Sequence, residues 1–529
     1  MMTHCSIVLF VFMLLQCSVV IAAPYDARIA DAEILTPIPA DAPRINGPAL
    51  YGAQPGKKFI YRIPTQGKRP IQFEVENLPV GLKLDAAQGI LTGVTPDAMA
   101  DYVMRITARN DHGTATRDFK LVVGNKLALT PPVGWNSWGA YMLMVTDEKM
   151  RMTADLLVKH GLADVGFQYV SIDDAWMRIS PEMFAGRKPL ARHEGFDFTG
   201  MIGKVRDEDG NILPNAHFPD MKGMVEHIHS YGLKAGLYSS PGPQTCQNFG
   251  GSFGHELRDA KQYAAWGFDF IKYDQCSAYK TLDVIKKQKN YDFIDFWRPM
   301  VFALRQQDRD IVYNLCEYGD SKPWTWAPGL NMQTWRTGGD LNHNVRGYFR
   351  EAMRIATELR DFSQPGQWND PDYMYIHKIR SHKKMVAPAV EIPLNTNQRY
   401  QYVTLWSMIC APFFFSCDMD EIDEFTFRLL GNADVVGINQ DELGKVARVV
   451  EQSDKRVVMV KSMVDGSRAV ALFNRDDKEA RIALKTDWLG SNQTGKVLDV
   501  WRQKKVDNLK AGDEVLLSPH GVALFIVGK

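Results

Sequence analysis

WGFDFIKYDQC, residues 266–276, has the character of a buried strand that ends in charged side chains. The run from Phe268 to Tyr273 is mostly apolar and β-prone, like the strands of parallel sheets that are covered on both faces. Lys272 and Asp274 are two residues apart and so project from the same face of the pleat, where the cation favours the ionised carboxylate. Asp274 is therefore a candidate nucleophile, and a structural ion pair is the alternative that this stretch leaves open.

Similar runs recur along the chain after Leu129, and each ends in a polar or glycine-rich turn. Strands that alternate with helices predict a (β/α)₈ barrel, or TIM barrel. Helical patterns separate most of the runs, for example at residues 146–160, 221–231, 291–306 and 347–359. The eight runs that we assign to the barrel strands cover residues 132–138, 168–176, 234–240, 268–276, 311–319, 332–340, 367–374 and 408–416.

The regions that flank the barrel have the patterns of β-sheet domains. Short alternating runs between turn clusters extend from Arg44 to Gly124 and predict a small β-sandwich. Residues 78–97, LPVGLKLDAAQGILTGVTPD, resemble the immunoglobulin-like modules of secreted bacterial enzymes. After Gly444 the alternation returns and predicts an antiparallel β-sandwich. The predicted boundaries are a signal peptide at 1–22, a linker at 23–43, the immunoglobulin-like sandwich at 44–125, the barrel at 126–445 and the C-terminal sandwich at 446–529.

The first 22 residues have the pattern of a secretory signal. An apolar run from Ile7 to Leu15 is followed by the small residues Ala22 and Ala23, although the first few residues lack Lys and Arg. The run is shorter than the roughly 20 apolar residues of a membrane span. A lipoprotein signal is the weaker alternative, because Gln16 before Cys17 fits it poorly. We therefore expect a secreted or periplasmic protein with no membrane association in its mature form.

The overall composition is that of a soluble globular protein. The chain has 62 basic and 62 acidic residues and is 45% hydrophobic, so it has ample material for a core. This balance gives no indication of binding to nucleic acids or to anionic membranes. Loss of the signal would remove Cys5 and Cys17 from the seven cysteines, which leaves an odd number and at least one thiol unpaired within the chain.

Acidic and aromatic residues close the predicted barrel strands, at the end where active sites of this fold lie. None of the eight runs closes on a His, and the loops after the last two runs carry carboxylates that would repel a phosphate. We therefore expect neither a metal nor an organic cofactor. Paired carboxylates between Trp and Tyr walls suit the hydrolysis of a glycosidic bond. The residues at the strand ends are Trp138, Asp173, Asp174, Trp176, Tyr238, Lys272, Asp274, Glu317, Arg336, Asp340, Asp370 and Asp372.

Seven segments, in order along the chain, resemble the motifs of glycoside hydrolase family 27, the α-galactosidase or melibiase family. Seven motifs in register are far more specific than a single short pattern. The segments are PPVGWNSWGAY (131–141), SIDDAW (171–176), KAGLYSSPGPQTC (234–246), GFDFIKYDQC (267–276), WRTGGD (335–340), GQWNDPDYM (366–374) and GINQDELG (437–444).

The resemblance implies an exo-acting, retaining α-galactosidase that acts on galactose-containing oligo- or polysaccharides. Asp274 corresponds to the nucleophile and Asp340 to the general acid/base, whose carboxyl groups should lie roughly 5 Å apart. Cys246 and Cys276 match a family disulfide, which is plausible in a secreted protein. The positions that match substrate-binding residues of the family are Trp138, Asp173, Asp174, Tyr238, Lys272, Glu317, Arg336 and Asp372.

Some positions depart from the family pattern and keep alternatives open. Tyr318 and Tyr373 stand where relatives often have Trp and Met, and residues 177–233 hold an apparent insertion over the site. An α-N-acetylgalactosaminidase or a β-L-arabinopyranosidase with the same mechanism is one alternative, against which Asp173 and Glu317 favour galactose. A non-catalytic sugar-binding barrel is another, against which both catalytic positions are retained.

Overall fold

The computed structural model of the chain describes residues 23–185, 195–276, 278, 281, 293–490, 497–507 and 509–528. The predicted signal peptide, residues 1–22, lies outside these residues, as does part of the predicted insertion, residues 186–194. Within the described part of the chain, no helix combines the length and the apolar character that a membrane crossing requires.

Strands between Leu50 and Val123 form the predicted first β-sandwich. β3, β10, β9 and β6 make one sheet, and β4, β8 and β7 make the other. Their facing sides enclose a small core that includes Tyr61, Phe73, Ile106 and Phe119. The described strands up to Val123 are β1 (Tyr25–Asp26), β2 (Arg44–Ile45), β3 (Leu50–Ala53), β4 (Lys58–Arg62), β5 (Thr65–Gln66), β6 (Gln72–Glu76), β7 (Leu82–Asp85), β8 (Ile90–Val94), β9 (Ala100–Asn110) and β10 (Gly113–Val123).

The central region is the predicted barrel of parallel strands. The barrel strands lie inside the eight predicted runs, except that Tyr375 follows the end of the seventh, and each strand is buried along its length, as expected for a sheet covered on both faces. The strands of this region are β11 (Val133–Asn136), β12 (Tyr169–Ser171), β13 (Lys234–Ser239), β14 (Phe270–Asp274), β15 (Val312–Cys316), β16 (Thr334–Arg336), β17 (Trp368–Asp370), β18 (Met374–Tyr375), β19 (Lys378–Ile379), β20 (Val390–Glu391) and β21 (Phe413–Ser416).

The barrel closes through its seventh run, which is split into two strands. Neighbouring strands in the described sheet follow the order β17, β16, β15, β14, β13, β12, β11, β21 and β18. β17 pairs with β16, whereas β18 pairs with β21, so the two edges of the sheet meet in one continuous segment. Between the two strands the backbone of Asp372 has a φ of 123°, an unusual value for a residue with a side chain.

Helices cover the outside of the barrel, and several of them begin at a polar residue whose side chain caps the first turn. Thr146 Oγ1 accepts a hydrogen bond from Lys149 N at 3.2 Å, and Asn395 Oδ1 accepts one from Gln398 N at 2.9 Å. The helices of the described chain are Trp138–Tyr141, Asp147–Lys159, Pro181–Ala185, Met221–Ser230, Glu256–Trp266, Arg298–Arg305, Tyr348–Thr357, Thr396–Met408, Glu424–Leu430, Ala433–Asn439 and Thr486–Leu489.

The last strands form the predicted antiparallel sandwich. One sheet has the order β22, β23, β24, β29, β26 and β27, and the other has the order β1, β28 and β25. The three-domain architecture predicted from the sequence is therefore confirmed, while the exact domain boundaries stay predictions. The strands are β22 (Arg448–Gln452), β23 (Arg456–Ser462), β24 (Arg468–Asn474), β25 (Ala480–Ala483), β26 (Val497–Asp499), β27 (Lys504–Val506), β28 (Glu514–Leu517) and β29 (Val522–Val527).

The segment that we predicted as a linker is attached to the C-terminal sandwich. β1 pairs in parallel with β28, and Tyr25 Oη donates a hydrogen bond to Asp499 Oδ2 at 2.7 Å. Farther along the segment, Leu35 N donates a hydrogen bond at 3.0 Å to the Oη of Tyr400, which lies on the barrel helix Thr396–Met408. This segment therefore connects the last domain to the barrel before the chain enters the first sandwich.

The first sandwich contacts the barrel at the amino ends of β14 and β15, opposite the strand ends where the site was predicted. Lys58 N donates a hydrogen bond to Asp308 O at 2.8 Å. Gln54 N donates to Asp310 Oδ2 at 3.0 Å, while Asp310 Oδ1 is buried without a hydrogen-bond partner among the described residues. Burial raises the pKa of Asp310 to about 7, although the Gln54 amide and Lys234 oppose the shift.

Asp310→Asn is expected to stabilise the protein at alkaline pH. The folded state favours the neutral carboxyl of Asp310, so the protein loses stability as pH rises from the ordinary pKa of an aspartate towards the raised pKa of about 7. The amide of Asn cannot ionise, so the variant does not lose stability in this way. The variant should melt about 2–4 °C above the unaltered protein at pH 8, with little difference at pH 4. The exposed Asp308, paired with Lys58, supplies the control Asp308→Asn. Equal effects of Asp310→Asn at both pH values would contradict the assignment.

Candidate active site

The carboxyl ends of the barrel strands surround a cavity of about 340 Å³. Glu317, Arg336 and Asp372, also predicted for the site, are buried at the same end of the barrel without lining this cavity. A cavity of this size, with its polar groups converging, is a typical small-molecule site. The predicted residues that line it are Trp138, Asp173, Asp174, Tyr238, Lys272, Asp274 and Asp340.

Lys272 lies between two carboxylates at the base of this cavity. Its Nζ is 3.0 Å from Asp173 Oδ2 and 3.8 Å from Asp274 Oδ2. The same atom lies 5.2 Å from the ring centre of Tyr238 and 5.1 Å from that of Tyr373. Burial would lower the pKa of Lys272, but the surrounding anions, led by Asp173, raise it well above its ordinary value. Lys272 therefore stays charged.

Asp274 is held by groups that favour its ionised form against the effect of burial. Burial raises the pKa of Asp274, and the nearby Asp340 adds to the rise. The Lys272 ammonium and a hydrogen bond donated by Tyr318 Oη to Asp274 Oδ1 at 2.8 Å pull the pKa back. The sequence left open that Lys272 and Asp274 form a purely structural ion pair. In the structure, both side chains of this pair line the cavity.

Arg336 organises the opposite wall. Its guanidinium is 3.2 Å from Asp340 Oδ1 and 3.1 Å from Asp372 Oδ1. Leu341 N donates a hydrogen bond to Asp372 Oδ2 at 2.7 Å, so Asp372 is fixed from two sides. The side chain of Asp340 is 27% exposed, against 5% for Asp274. Of the two carboxylates, Asp340 is therefore the one that can reach water and a leaving group.

The acidic pair after β12 is fixed by hydrogen bonds from neighbouring loops. Asn136 Nδ2 donates to Asp173 Oδ2 at 3.0 Å. Gln247 N donates to Asp174 Oδ2 at 2.9 Å, and Ala175 N donates to its Oδ1 at 2.7 Å. Burial raises the pKa of Asp174 to about 7. Acceptors that are already fixed in this way lose little conformational entropy when they bind a hydroxyl group.

Cys246 and Cys276 form the disulfide that the family resemblance implied. The bridge ties the loop after β13 to the end of β14 and lines the cavity beside Tyr238, whose Oη is 2.9 Å from Cys276 Sγ. Cys316, Cys410 and Cys417 are buried free thiols within the described chain. A group of possible metal ligands comprises Cys246, Asp274 and Cys276, and because both sulfurs belong to the disulfide, this set does not fit a metal.

Several cavity residues were not predicted as site residues. The sequence singled out Tyr318 only as a departure from the family pattern, and its bond to Asp274 depends on a turn that the pattern does not specify. His382 comes from the segment that contains β19 and β20, and its ring lies 6.0 Å from that of Trp138. The length of the segment between β18 and β21 was the available signal. The lining residues that sequence reasoning missed are Thr245, Gln247, Asn248, Tyr318, Tyr375 and His382.

The fold and the cavity define a glycoside hydrolase, since two carboxylates of unequal exposure face one aromatic-walled cavity at the catalytic end of a (β/α)₈ barrel. Sequence models of known families match in three places. The model for α-galactosidase A matches residues 196–441, the model for the α-galactosidase C-terminal β-sandwich matches 453–527, and an Ig-domain model matches 42–124. The chain belongs to the α-galactosidase (melibiase) family, glycoside hydrolase family 27.

The similarity to known proteins extends over most of the chain. α-Galactosidase 2 of Arabidopsis thaliana is 30% identical over 415 residues, which are 77% of this chain and 91% of the relative. Two crystal structures from Bacteroides fragilis, a candidate α-galactosidase and a candidate α-galactosidase/melibiase, each give a TM-score of 0.79. They are 30% and 31% identical, and the matches cover 93% and 94% of this chain and 99% and 100% of theirs.

Lys272→Met is expected to reduce kcat/KM and to move its acidic limb to higher pH. The cation lowers the pKa of Asp274, so its loss should move the ionisation of that carboxyl to higher pH. The measurement is the pH profile of glycoside hydrolysis. Lys378→Met removes a cation paired with Glu421 away from the cavity and serves as the control. An acidic limb that stays in place, in a variant that remains folded, would contradict this role of Lys272.

Proposed function

We propose that this protein is an exo-acting, retaining α-galactosidase that hydrolyses terminal α-D-galactosyl residues. One observation carries the proposal: Asp274 and Asp340 line the same cavity, and a different cation holds each of them. Lys272 lies beside the buried carboxylate of Asp274, and Arg336 pairs with the more exposed carboxylate of Asp340. Family membership and the α-galactosidase names of the relatives support this reaction.

In the first step, the Asp274 carboxylate attacks the anomeric carbon while the bond from that carbon to the aglycone oxygen breaks. Asp340, protonated, donates its proton to the departing oxygen. In the second step, Asp340 accepts a proton from water, whose oxygen attacks the anomeric carbon and releases Asp274. The buried position of Asp274 suits a nucleophile that must be shielded from water. The exposed position of Asp340 suits a group that exchanges protons in both steps.

Galactose would be held by charged acceptors at the far end of the ring and by aromatic walls. We assign Asp173 and Asp174 to the distal hydroxyls, and Trp138 and Tyr238 to the apolar ring faces. Further polar contacts would come from Lys272, Glu317, Arg336 and Asp372.

Two of these residues have hydrogen-bonding capacity that is not used within the described chain. Glu317 Oε2 accepts from Ser321 N and Oγ, both at 2.8 Å. Among the described residues, Glu317 Oε1 and Arg336 Nε are buried without a hydrogen-bond partner. A buried polar atom left unpaired is costly. Because Glu317 and Arg336 do not line the cavity, the preference for galactose over a sugar with an N-acetyl group is supported by the family resemblance and by the names of the relatives.

We infer that the mature enzyme acts outside the cytoplasm, in the periplasm or the medium. The signal pattern at residues 1–22 motivates this proposal. A disulfide at the active site and an N-terminal immunoglobulin-like domain support it, because such bridges persist in oxidising compartments. Its substrates would then be galactose-containing oligosaccharides or polysaccharides in the surroundings of the cell.

Asp274→Asn and Asp340→Asn are expected to remove the hydrolysis of p-nitrophenyl α-galactoside to different extents. Loss of the nucleophile should leave no measurable turnover. Loss of the general acid/base should lower kcat/KM about 10²–10⁴-fold with an oligosaccharide. The loss should be smaller with p-nitrophenyl α-galactoside, because its p-nitrophenolate leaves readily without a proton. The measurement is kcat/KM on both substrates. Asp361→Asn, whose side chain is 87% exposed, is the control.

The same assay compares the three sugars. Fastest cleavage of the α-galactoside would support the proposal, whereas preference for the α-N-acetylgalactosaminide or the β-L-arabinopyranoside would overturn the sugar assignment and leave the mechanism. Undiminished turnover by Asp274→Asn would refute the mechanism itself. Tight sugar binding without turnover in the unaltered protein would identify a non-catalytic barrel.

A further inference from the structure

We propose that Tyr318 is a positioning residue that fixes the orientation of Asp274 and promotes release of the sugar from it in the second step. The proposal rests on the proposed function and assigns a role to a position where the family often has Trp. It starts from the hydrogen bond that Tyr318 Oη donates to Asp274 Oδ1 at 2.8 Å.

The backbone directs Tyr318 to this place. The residue follows β15 and has a φ of 60°, in the left-handed region that side chains rarely adopt. Gly319 comes next with a φ of 81°, and a Cβ there would lie 2.3 Å from Thr337 O. Both residues of the turn therefore have backbone conformations with few alternatives. Strained conformations of this kind persist where the surrounding structure enforces them. Tyr318 lines the cavity as a result.

The two oxygens of Asp274 are in different surroundings. Oδ1 accepts the hydrogen bond from Tyr318, whereas Oδ2 is 3.8 Å from Lys272 Nζ, beyond hydrogen-bond distance. A carboxylate anchored through Oδ1 cannot rotate freely. Oδ2 is thus the oxygen presented for attack, with a cation near enough to keep it ionised but not bonded to it.

This asymmetry has opposite consequences for the two steps. In the first step, the Oδ2 bond to the anomeric carbon forms while the aglycone bond breaks, and the carboxylate loses its charge to become an ester. In the second step, water attacks the anomeric carbon, the Oδ2 bond breaks, its electron pair returns to Asp274, and Asp340 takes the proton of water. A hydrogen bond to an anion is stronger than one to an ester carbonyl. Tyr318 therefore stabilises the second transition state relative to the covalent intermediate.

Tyr318→Phe isolates this hydroxyl, because the ring that lies 5.8 Å from the Arg336 guanidinium is kept. In Tyr318→Phe the second step should limit turnover of p-nitrophenyl α-galactoside, because p-nitrophenol leaves readily in the first step and the substitution slows only the second. We expect kcat to fall about tenfold or more, in line with the strength of a hydrogen bond to a charged group, and KM to fall with it. A burst of p-nitrophenol and a trapped galactosyl-enzyme seen by mass spectrometry should accompany the change.

The titration of Asp274 gives a readout that does not depend on turnover. The carboxyl carbon of Asp274, followed by ¹³C NMR and assigned with Asp274→Asn, should titrate at higher pH in Tyr318→Phe than in the unaltered protein. The acidic limb of kcat/KM should move in the same direction. In the described part of the chain Tyr375 lines the same cavity without a hydrogen bond to Asp274, so Tyr375→Phe should produce neither the burst nor the shift.

The outcomes separate this proposal from the proposed function. A burst together with a raised Asp274 titration supports the role of Tyr318. An unchanged titration midpoint, or a loss of kcat/KM equal to that of kcat with no burst, overturns it. Failure of the unaltered protein to cleave any α-galactoside overturns the proposed function, and the NMR titration then still decides whether Tyr318 controls Asp274.

Discussion

The active site depends on a buried ammonium group. Lys272 lies 3.0 Å from Asp173 and 3.8 Å from Asp274 at the bottom of a cavity lined by further carboxylates. Carboxylates gathered in a poorly hydrated space repel one another and tend to take up protons. Lys272 opposes this tendency at Asp274, because its ammonium lowers the pKa of that carboxyl. The cation therefore helps to keep the carboxylate of Asp274 charged in this acidic cavity.

A second cation gives Asp340 surroundings that differ from those of Asp274. Arg336 pairs with Asp340 and Asp372, whereas Lys272 pairs with Asp173 and lies 3.8 Å from Asp274, so each side of the cavity has its own charge balance. Opposite chemical roles for two like groups require different surroundings. Here the difference is the exposure of the two carboxylates combined with the identity of the cation: an ammonium lies beside Asp274, and a buried planar guanidinium, able to bridge two acids, lies beside Asp340.

The sequence predicted those features that follow from local pattern. Buried runs that end in charge marked the barrel strands, and the residues closing them include seven of the fifteen residues that line the cavity. The split of the seventh run and the turn at Tyr318 were not predicted, because both depend on φ values that neighbouring elements impose on ordinary residues. β1, in the segment predicted as a linker, was not predicted because a two-residue strand carries no periodicity. The disulfide came from family resemblance, since the positions of cysteines alone do not define their pairing.

The strand that carries Lys272 and Asp274 is also held at its opposite end. Asp269, just before β14, pairs with His229 at 2.8 Å and with Arg309. The first sandwich bonds to Asp308 and Asp310 beside Arg309. The sandwich therefore lies far from the cavity mouth but supports the base of the strand on which the chemistry depends. Catalytic geometry tolerates displacements of only a fraction of an ångström, so the position of Asp274 depends on the packing at both ends of β14.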